Sequence, residues 1–303
     1  MKDYLNEINN LFPIRRREEE KDNFYHYVKA ELGDDRVRLE TLEKKHSNII
    51  IGELTKAELI FTAHYDTPAA SLVPNMMFPA NKVIGIVINI LYPLAMAFLS
   101  LFVALLISGV MGLDERWGAI FYFILYFGLF YCTTRLVSNK HNKNDNTSGV
   151  AAVMSLASEI NDGRIAFVLF DNEEKGLLGS KAFSKEHKNI INDKLVINFD
   201  CVGNGDQMIF IVKEKVEKHE LYEILKSVIV SSEGFEVHHL PAKKSLGNSD
   251  HKNFDCGIGV MASKRAKIVR FFTGRIHTSR DTVASSENIY FLADIMKNFI
   301  SKI

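Results

Sequence analysis

Neither sign of charge is in excess in this 303-residue chain, where 37 lysines and arginines face 37 aspartates and glutamates. That balance argues against a nucleic-acid surface as the main business of the molecule. Cysteine is scarce: Cys132, Cys201 and Cys256 stand in no CxxC spacing. This excludes a disulfide framework and a thiolate zinc site, and reduced thiols fit a cytoplasmic setting. Cys201 and Cys256 are expected in the core, and Cys132 within an apolar run. The opening stretch MKDYLNEINNLFPIRRREEEKD lacks an apolar segment and a cleavage pattern, so it does not read as a signal peptide. Charge is also missing from two long stretches, residues 83–113 and 117–134, parted only by Asp114, Glu115 and Arg116.

At a rise of ~1.5 Å per residue the second stretch reaches about 27 Å, close to the hydrocarbon thickness of a bilayer. The first is longer than needed, so tilt, a kink near Pro93 or an interfacial portion is expected. Trp117, Tyr122, Tyr126 and Tyr131 suit membrane boundaries. A buried hairpin in a soluble core or a dimer interface would share this composition, but uncharged runs of such length read as spans. The expectation is a transmembrane helical hairpin over residues 82–135, inserted in one discontinuous catalytic domain made of residues 1–81 and 136–303. Both ends of a hairpin lie on one side. Lys82 precedes it and Arg135, Lys140, His141 and Lys143 follow, against one arginine and two acids in the turn. The positive-inside rule then gives a two-span protein of the cell membrane with a cytoplasmic catalytic domain. The lipid bilayer is thus an expected partner, and the aromatic hairpin could pair with a second copy.

Outside the hairpin the pattern alternates. Residues 15–32 read as a helix, with Arg15, Arg16 and Arg17 ahead of Glu18, Glu19 and Glu20 as a solvated, ion-paired face. Strand-like runs occupy 37–42, 48–52, 58–63, 164–170, 194–199, 208–212, 235–239 and 267–272. Helical runs follow residue 149 and cover 177–187, 216–231 and 287–302. The alternation gives an α/β class: a three-layer fold whose central sheet is largely parallel or mixed, flanked by helices.

In such sheets functional groups gather beyond the carboxyl ends of strands. The run ending at Phe170 delivers Glu173 and Glu174. Adjacent carboxylates cannot share one face, so one can bind a cation while the other serves as a base. An acidic loop past a strand is by itself usually only solvated. Four further features stand in comparable places: His64-Tyr65-Asp66 after 58–63, Asp145 in KNDNTSG before a helix, Asp200 after 194–199, and His277 after 267–272. Asp145 could be a helix cap, and an isolated HxD is often incidental. Together, two imidazoles and several carboxylates form a nitrogen and oxygen donor set that zinc accepts, whereas magnesium or calcium would make less use of imidazole.

The order H-x-D, D-N-x-S-G, E-E, D, S-D-H and H-T-x-x-D resembles the di-zinc aminopeptidases of metallopeptidase family 28, over residues from about 58 to 303. The resemblance implies a zinc-exopeptidase fold with two co-catalytic zinc ions. Asp145 would bridge them, with His64 and Asp200 on one zinc and Glu174 and His277 on the other. It implies Glu173 as the general base toward the metal-bridging water and Asp66 as the residue orienting His64. Asp250 and Asp281 match motif positions behind the ligands. The implied substrate is a peptide with a free N-terminus. Two alternatives stay open: a glutaminyl-cyclase-like acyltransferase with one zinc, and a non-catalytic membrane receptor or scaffold.

Overall fold

The computed structural model describes residues 2–72, 75–134, 137–245 and 247–303. Arg135, counted above among the basic residues after the hairpin, lies outside them. The strands are β1 (Val37–Leu42), β2 (His46–Ile51), β3 (Leu59–His64), β4 (Asn75–Met77), β5 (Ile165–Phe170), β6 (Leu195–Phe199), β7 (Gln207–Val212), β8 (Glu236–Pro241), β9 (Gly257–Ala266) and β10 (Arg270–Ile276). They join in a ten-stranded sheet of order β1-β2-β5-β3-β6-β9-β10-β4, with β7 pairing to β9 and β8 to β7. The centre, β5-β3-β6-β9, is parallel. Both flanks carry antiparallel pairs, so the sheet is mixed. Every residue of β3, β5 and β6 is buried, as strands covered on both faces must be. Across them Phe61 stacks on Phe167 and Phe199, each at 5.8 Å between ring centres. Burying each such side chain contributes about 1.5–3 kcal/mol.

The helices are α1 (Tyr4–Leu11), α2 (Glu18–Leu32), α3 (Lys82–Met111), α4 (Glu115–Thr134), α5 (Gly149–Glu159), α6 (Leu178–Glu186), α7 (Lys188–Ile191), α8 (Glu220–Val228) and α9 (Ser286–Ile300). Apolar faces of α1, α2, α5, α8 and α9 close one core over the sheet. Phe183 of α6 and Ile191 of α7 join Phe254 in a second core that contains Phe170. Neither α1 nor the three-residue β4 was expected from periodicity, β4 being too short to display any. β10 begins at Arg270 rather than at 267, because Arg270 takes a left-handed φ of 67° that ends the preceding turn.

One expectation is corrected. Arg15 is not on a solvated helix face: α2 starts only at Glu18, and Arg15 is fully buried. Its guanidinium has polar partners on three separate segments, which no local pattern announces.

The apolar stretches form a helical pair. The Asn81 side chain accepts from the Ile84 amide at 3.1 Å to start α3, and Gly112 stops it in the left-handed conformation. The Asp114 carboxylate accepts from the amides of Arg116 and Trp117 to start α4. Among the described residues one helix, Lys82–Met111, is long and apolar enough to cross a membrane, with a mean hydropathy of 2.5 in its most apolar window. Leu105, Val110, Phe123 and Phe127 are exposed along the pair. The chain enters and leaves through a neck. Ala70 N–H donates to Val137 O at 2.7 Å, Asn139 N–H to Pro68 O at 3.1 Å and Leu72 N–H to Thr133 O at 3.1 Å.

Candidate metal centre

Five chain segments end at one place beyond the carboxyl ends of the parallel strands. β3 supplies His64 and continues to Asp66, and both side chains are buried. β5 leads to Glu173 and Glu174 through Asn172, whose left-handed φ of 53° turns the chain. The Asp66 carboxylate accepts from the amides of Glu173 at 3.0 Å and Glu174 at 3.2 Å, so it holds the acidic turn in place. His64 Nδ1 stands 3.2 Å from the Asp66 carbonyl oxygen and 3.5 Å from its carboxylate. Asp66 therefore touches both the imidazole and the turn, and its stronger carboxylate contacts go to the turn.

Asp145 belongs to a wide turn ahead of α5, with a cis peptide bond to Asn146. The Asp281 carboxylate accepts from the amides of Asn144 at 3.1 Å and Asp145 at 3.0 Å, which fixes the turn from behind. The Asn146 side chain ties it to the end of β6: Nδ2 donates to Phe199 O at 3.0 Å, and Oδ1 accepts from Cys201 N at 3.1 Å. Asp200, between those residues, is thereby set beside Asp145. Gly149 must lack a side chain, since a Cβ there would sit 2.3 Å from Phe199 O. His277, past β10, has a left-handed φ of 60° and its carbonyl accepts from Ser71 N in the neck.

The side chains converge. Asp145 Oδ1 lies 3.4 Å from His64 Nε2, while Oδ2 lies 3.0 Å from His277 Nε2. His64 Nε2 is 3.9 Å from Asp200 and 4.0 Å from Glu173, and His277 Nε2 is 3.4 Å from Glu174. Two ligand groups result, His64-Asp145-Asp200 and Asp145-Glu174-His277, with ligand atoms within 4.8 Å of one another in each. A third, His64-Glu173-Glu174, meets the same limit.

Electrostatics at this site follow from burial and crowding. Burial opposes charge on His64, but Glu173, Asp145, Asp200 and Asp66 outweigh it and hold the imidazole well above its ordinary pKa. For His277 burial is likewise outweighed by Glu174 and Asp145, to about 9. Burial raises Glu174 to about 8, against the pull of His277. Glu173 is raised well above the carboxylate range by burial, then by Glu174, Asp250 and Asp200, with His64 opposing. Asp145 is held low: its hydrogen bonds to His277 and His64 overcome burial. Without metal, buried carboxylates outnumber the imidazoles, and the excess is met by retained protons. Divalent cations would replace those protons, and the mixed imidazole and carboxylate donors fit zinc.

Asp250 and Asp281 both lie outside these ligand groups. Asp250 accepts from Ser180 Oγ, and burial raises each to about 7. Two residues that sequence reasoning missed clamp the site from behind. Arg15 donates from Nε to Tyr65 O at 2.6 Å and from a terminal nitrogen to Thr147 Oγ1 at 3.1 Å. Lys21 pairs with Asp171 at 2.6 Å and donates to Asn172 Oδ1 at 3.2 Å, just ahead of Glu173. A cleft of about 540 Å³ opens over the centre, with Asp145, Glu173, Glu174, Asp200 and His277 in its wall beside Met77 of β4.

Residues 137–300, over half the chain, match the model of Peptidase family M28. No curated protein matches significantly. Among solved structures, a glutaminyl cyclase of Porphyromonas gingivalis superposes with a TM-score of 0.58 at 12% identity, covering 99% of this chain and 96% of its own. A Zn-dependent exopeptidase of Parabacteroides distasonis gives 0.57 at 14%, covering 98% and 95%. The LapA aminopeptidase of Legionella pneumophila gives 0.54 at 15%, covering 98% and 69%. At these identities the likeness is one of fold.

Proposed function

The chain belongs to peptidase family M28, and from that premise we propose that it is a zinc-dependent aminopeptidase held at a membrane by the α3–α4 hairpin. The observation that carries the reading is the pair of ligand groups, His64-Asp145-Asp200 and Asp145-Glu174-His277, which share one carboxylate. In this reading Asp145 would be common to two zinc ions, His64 and Asp200 would hold one, and Glu174 and His277 the other. The chemistry zinc supplies when bound is polarisation of a carbonyl and acidification of water.

The protein residues do the rest. Glu173 takes the proton of the attacking water and passes it to the leaving amine, a task suited to a carboxylate whose proton affinity burial has raised. Asp66 holds the backbone of the Glu173–Glu174 turn and touches the His64 ring, fixing base and ligand together. Peptides with a free N-terminus are the proposed substrates. Two spans with residues 1–81 and 136–303 in the cytoplasm are proposed from the hydropathy of α3, the shared neck and the basic flanks Lys82, Lys140 and Lys143. A second copy pairing through the hairpin's exposed aromatic residues belongs to the same proposal.

The test is metal content and peptidase activity of purified protein, wild type against Glu173→Ala. About two zinc ions per chain, and hydrolysis that the substitution abolishes while metal stays bound, would support the reading. One zinc with cyclisation of N-terminal glutamine would favour a glutaminyl-cyclase-like acyltransferase instead. Activity indifferent to Glu173 would remove the site assignment.

A further inference from the structure

We infer that the cleft removes N-terminal residues with side chains of one or two heavy atoms, alanine and serine, and discriminates against leucine and phenylalanine. The inference rests on the aminopeptidase reading and specifies its substrate. A recess of about 20 Å³ opens off the cleft beside Asp200 and shares Met77, Asp200 and Asn248 with it. That is space for about one water-sized group. Because Asp200 is a candidate ligand, a residue held at the metals has this recess within reach of its side chain.

The recess is walled by rigid elements. Ile211 of β7 and Met261 of β9 are buried and pack with Phe271 in a small satellite core, against which Met77 rests. Two walls are bare backbone. A Cβ on Gly247 would lie 2.6 Å from Ile211 Cδ1, and one on Gly259 would lie 2.6 Å from His251 Nδ1. Even a methyl has no room at either position, so the walls already meet around the space. Widening it means moving side chains of a packed sheet. Polar residues line the recess as well: Asp200, Asn248, Ser249 and His251. His251 is buried, and among the described residues its Nδ1 has no hydrogen-bond partner. A leucine side chain entering there would meet Ile211 and Met261, whereas the one or two heavy atoms of alanine or serine would not.

The experiment uses the zinc-loaded full chain in detergent, with alanine, serine, leucine and phenylalanine p-nitroanilides. The expected kcat/KM for alanine exceeds that for leucine by at least about tenfold, the scale on which pockets sense surplus methylenes. Met261→Ala and, at the half-buried edge, Met77→Ala should each lower the alanine-to-leucine ratio. Titration calorimetry of the zinc-loaded Glu173→Ala form, which does not turn them over, with alaninamide and leucinamide should give the same ranking. A wild type that prefers leucine or phenylalanine overturns the inference, as does an unchanged ratio in both folded variants. Failure to hydrolyse any of the four substrates would instead remove the aminopeptidase reading, and this inference with it.

Discussion

Arg15 Nε donates to the carbonyl oxygen of Tyr65 at 2.6 Å, joining the N-terminal segment to the residue between His64 and Asp66. The same guanidinium donates to Phe12 O at 2.6 Å and to Thr147 Oγ1 at 3.1 Å, two residues past Asp145. One buried cation thus ties together two loops that carry candidate ligands, and Phe24 lies under it. Arg15→Ala would strand buried acceptors, at a cost of about 2–4 kcal/mol. Arg15→Lys keeps the charge but cannot reproduce the planar fork, so it should recover only part of the loss. Denaturant unfolding of the three forms measures this. Equal midpoints would remove the clamp.

That clamp was the least legible part of the sequence. Three arginines before three glutamates are indistinguishable from a solvated helix start, and the partners of Arg15 at Tyr65 and Thr147 are remote in the chain. The candidate site residues were legible for the opposite reason: the proposed base Glu173 and the candidate ligands His64, Glu174, Asp200 and His277 each follow an apolar run that periodicity reveals. Asp145 needed the motif around it, since Asp before a helix is ordinarily a cap. The sheet's central strands could be read from continuous apolar runs. Its antiparallel edges could not, because pairing of β10 with β4 depends on where the chain returns after β9.

Sharing of Asp145 between two ligand groups predicts how zinc stabilises the protein. A ligand at a thousandfold excess over its Kd adds about 4 kcal/mol to folding stability. Zinc added to chelator-treated protein should raise the Tm of the wild type, and Asp145→Asn should lose more than half of that rise. His277→Ala, touching one group only, should lose less than Asp145→Asn. Thermal unfolding with and without zinc makes the comparison; an identical rise in wild type and Asp145→Asn would contradict a shared carboxylate.

His251 gives a pH dependence separable from the candidate ligands. Burial first, then Lys252, lowers its pKa from 6.5 to about 4. Between those values the unfolded chain binds a proton that the folded chain does not. This contribution is therefore present above pH 6.5 and lost as pH falls through about 4, in total about 3 kcal/mol. Carboxylates raised by burial, such as Asp281, change stability in the opposite direction, so the wild-type curve alone is not diagnostic. The difference between wild type and His251→Asn, unfolded in chelator from pH 4 to 8, isolates the imidazole. A flat difference would show that His251 is not buried in its neutral form.

Under the proposed membrane-bound reading, the neck predicts what the α3–α4 pair contributes. Ala70 to Val137 and Asn139 to Pro68 hydrogen bonds hold the two passages of chain side by side, so the catalytic part can close without the helices between them. Replacing residues 82–135 with a short Gly-Ser linker should give a folded protein that leaves the membrane fraction and keeps activity on small peptides. The neck also touches the site, since Ser71 N–H donates to the carbonyl of His277 and Leu72 N–H to Thr133 at the end of α4. The cleft wall includes β4, five residues before α3 begins at Lys82. Membrane-bound substrates should consequently depend on the hairpin in a way that free ones do not. Peptides anchored in vesicles by an apolar C-terminal segment, with the N-terminus free, distinguish the cases. The full chain should process them faster than the deleted form, at matched rates on a soluble peptide. Equal processing of the anchored peptide by both would leave the hairpin no part in substrate access and restrict it to attachment.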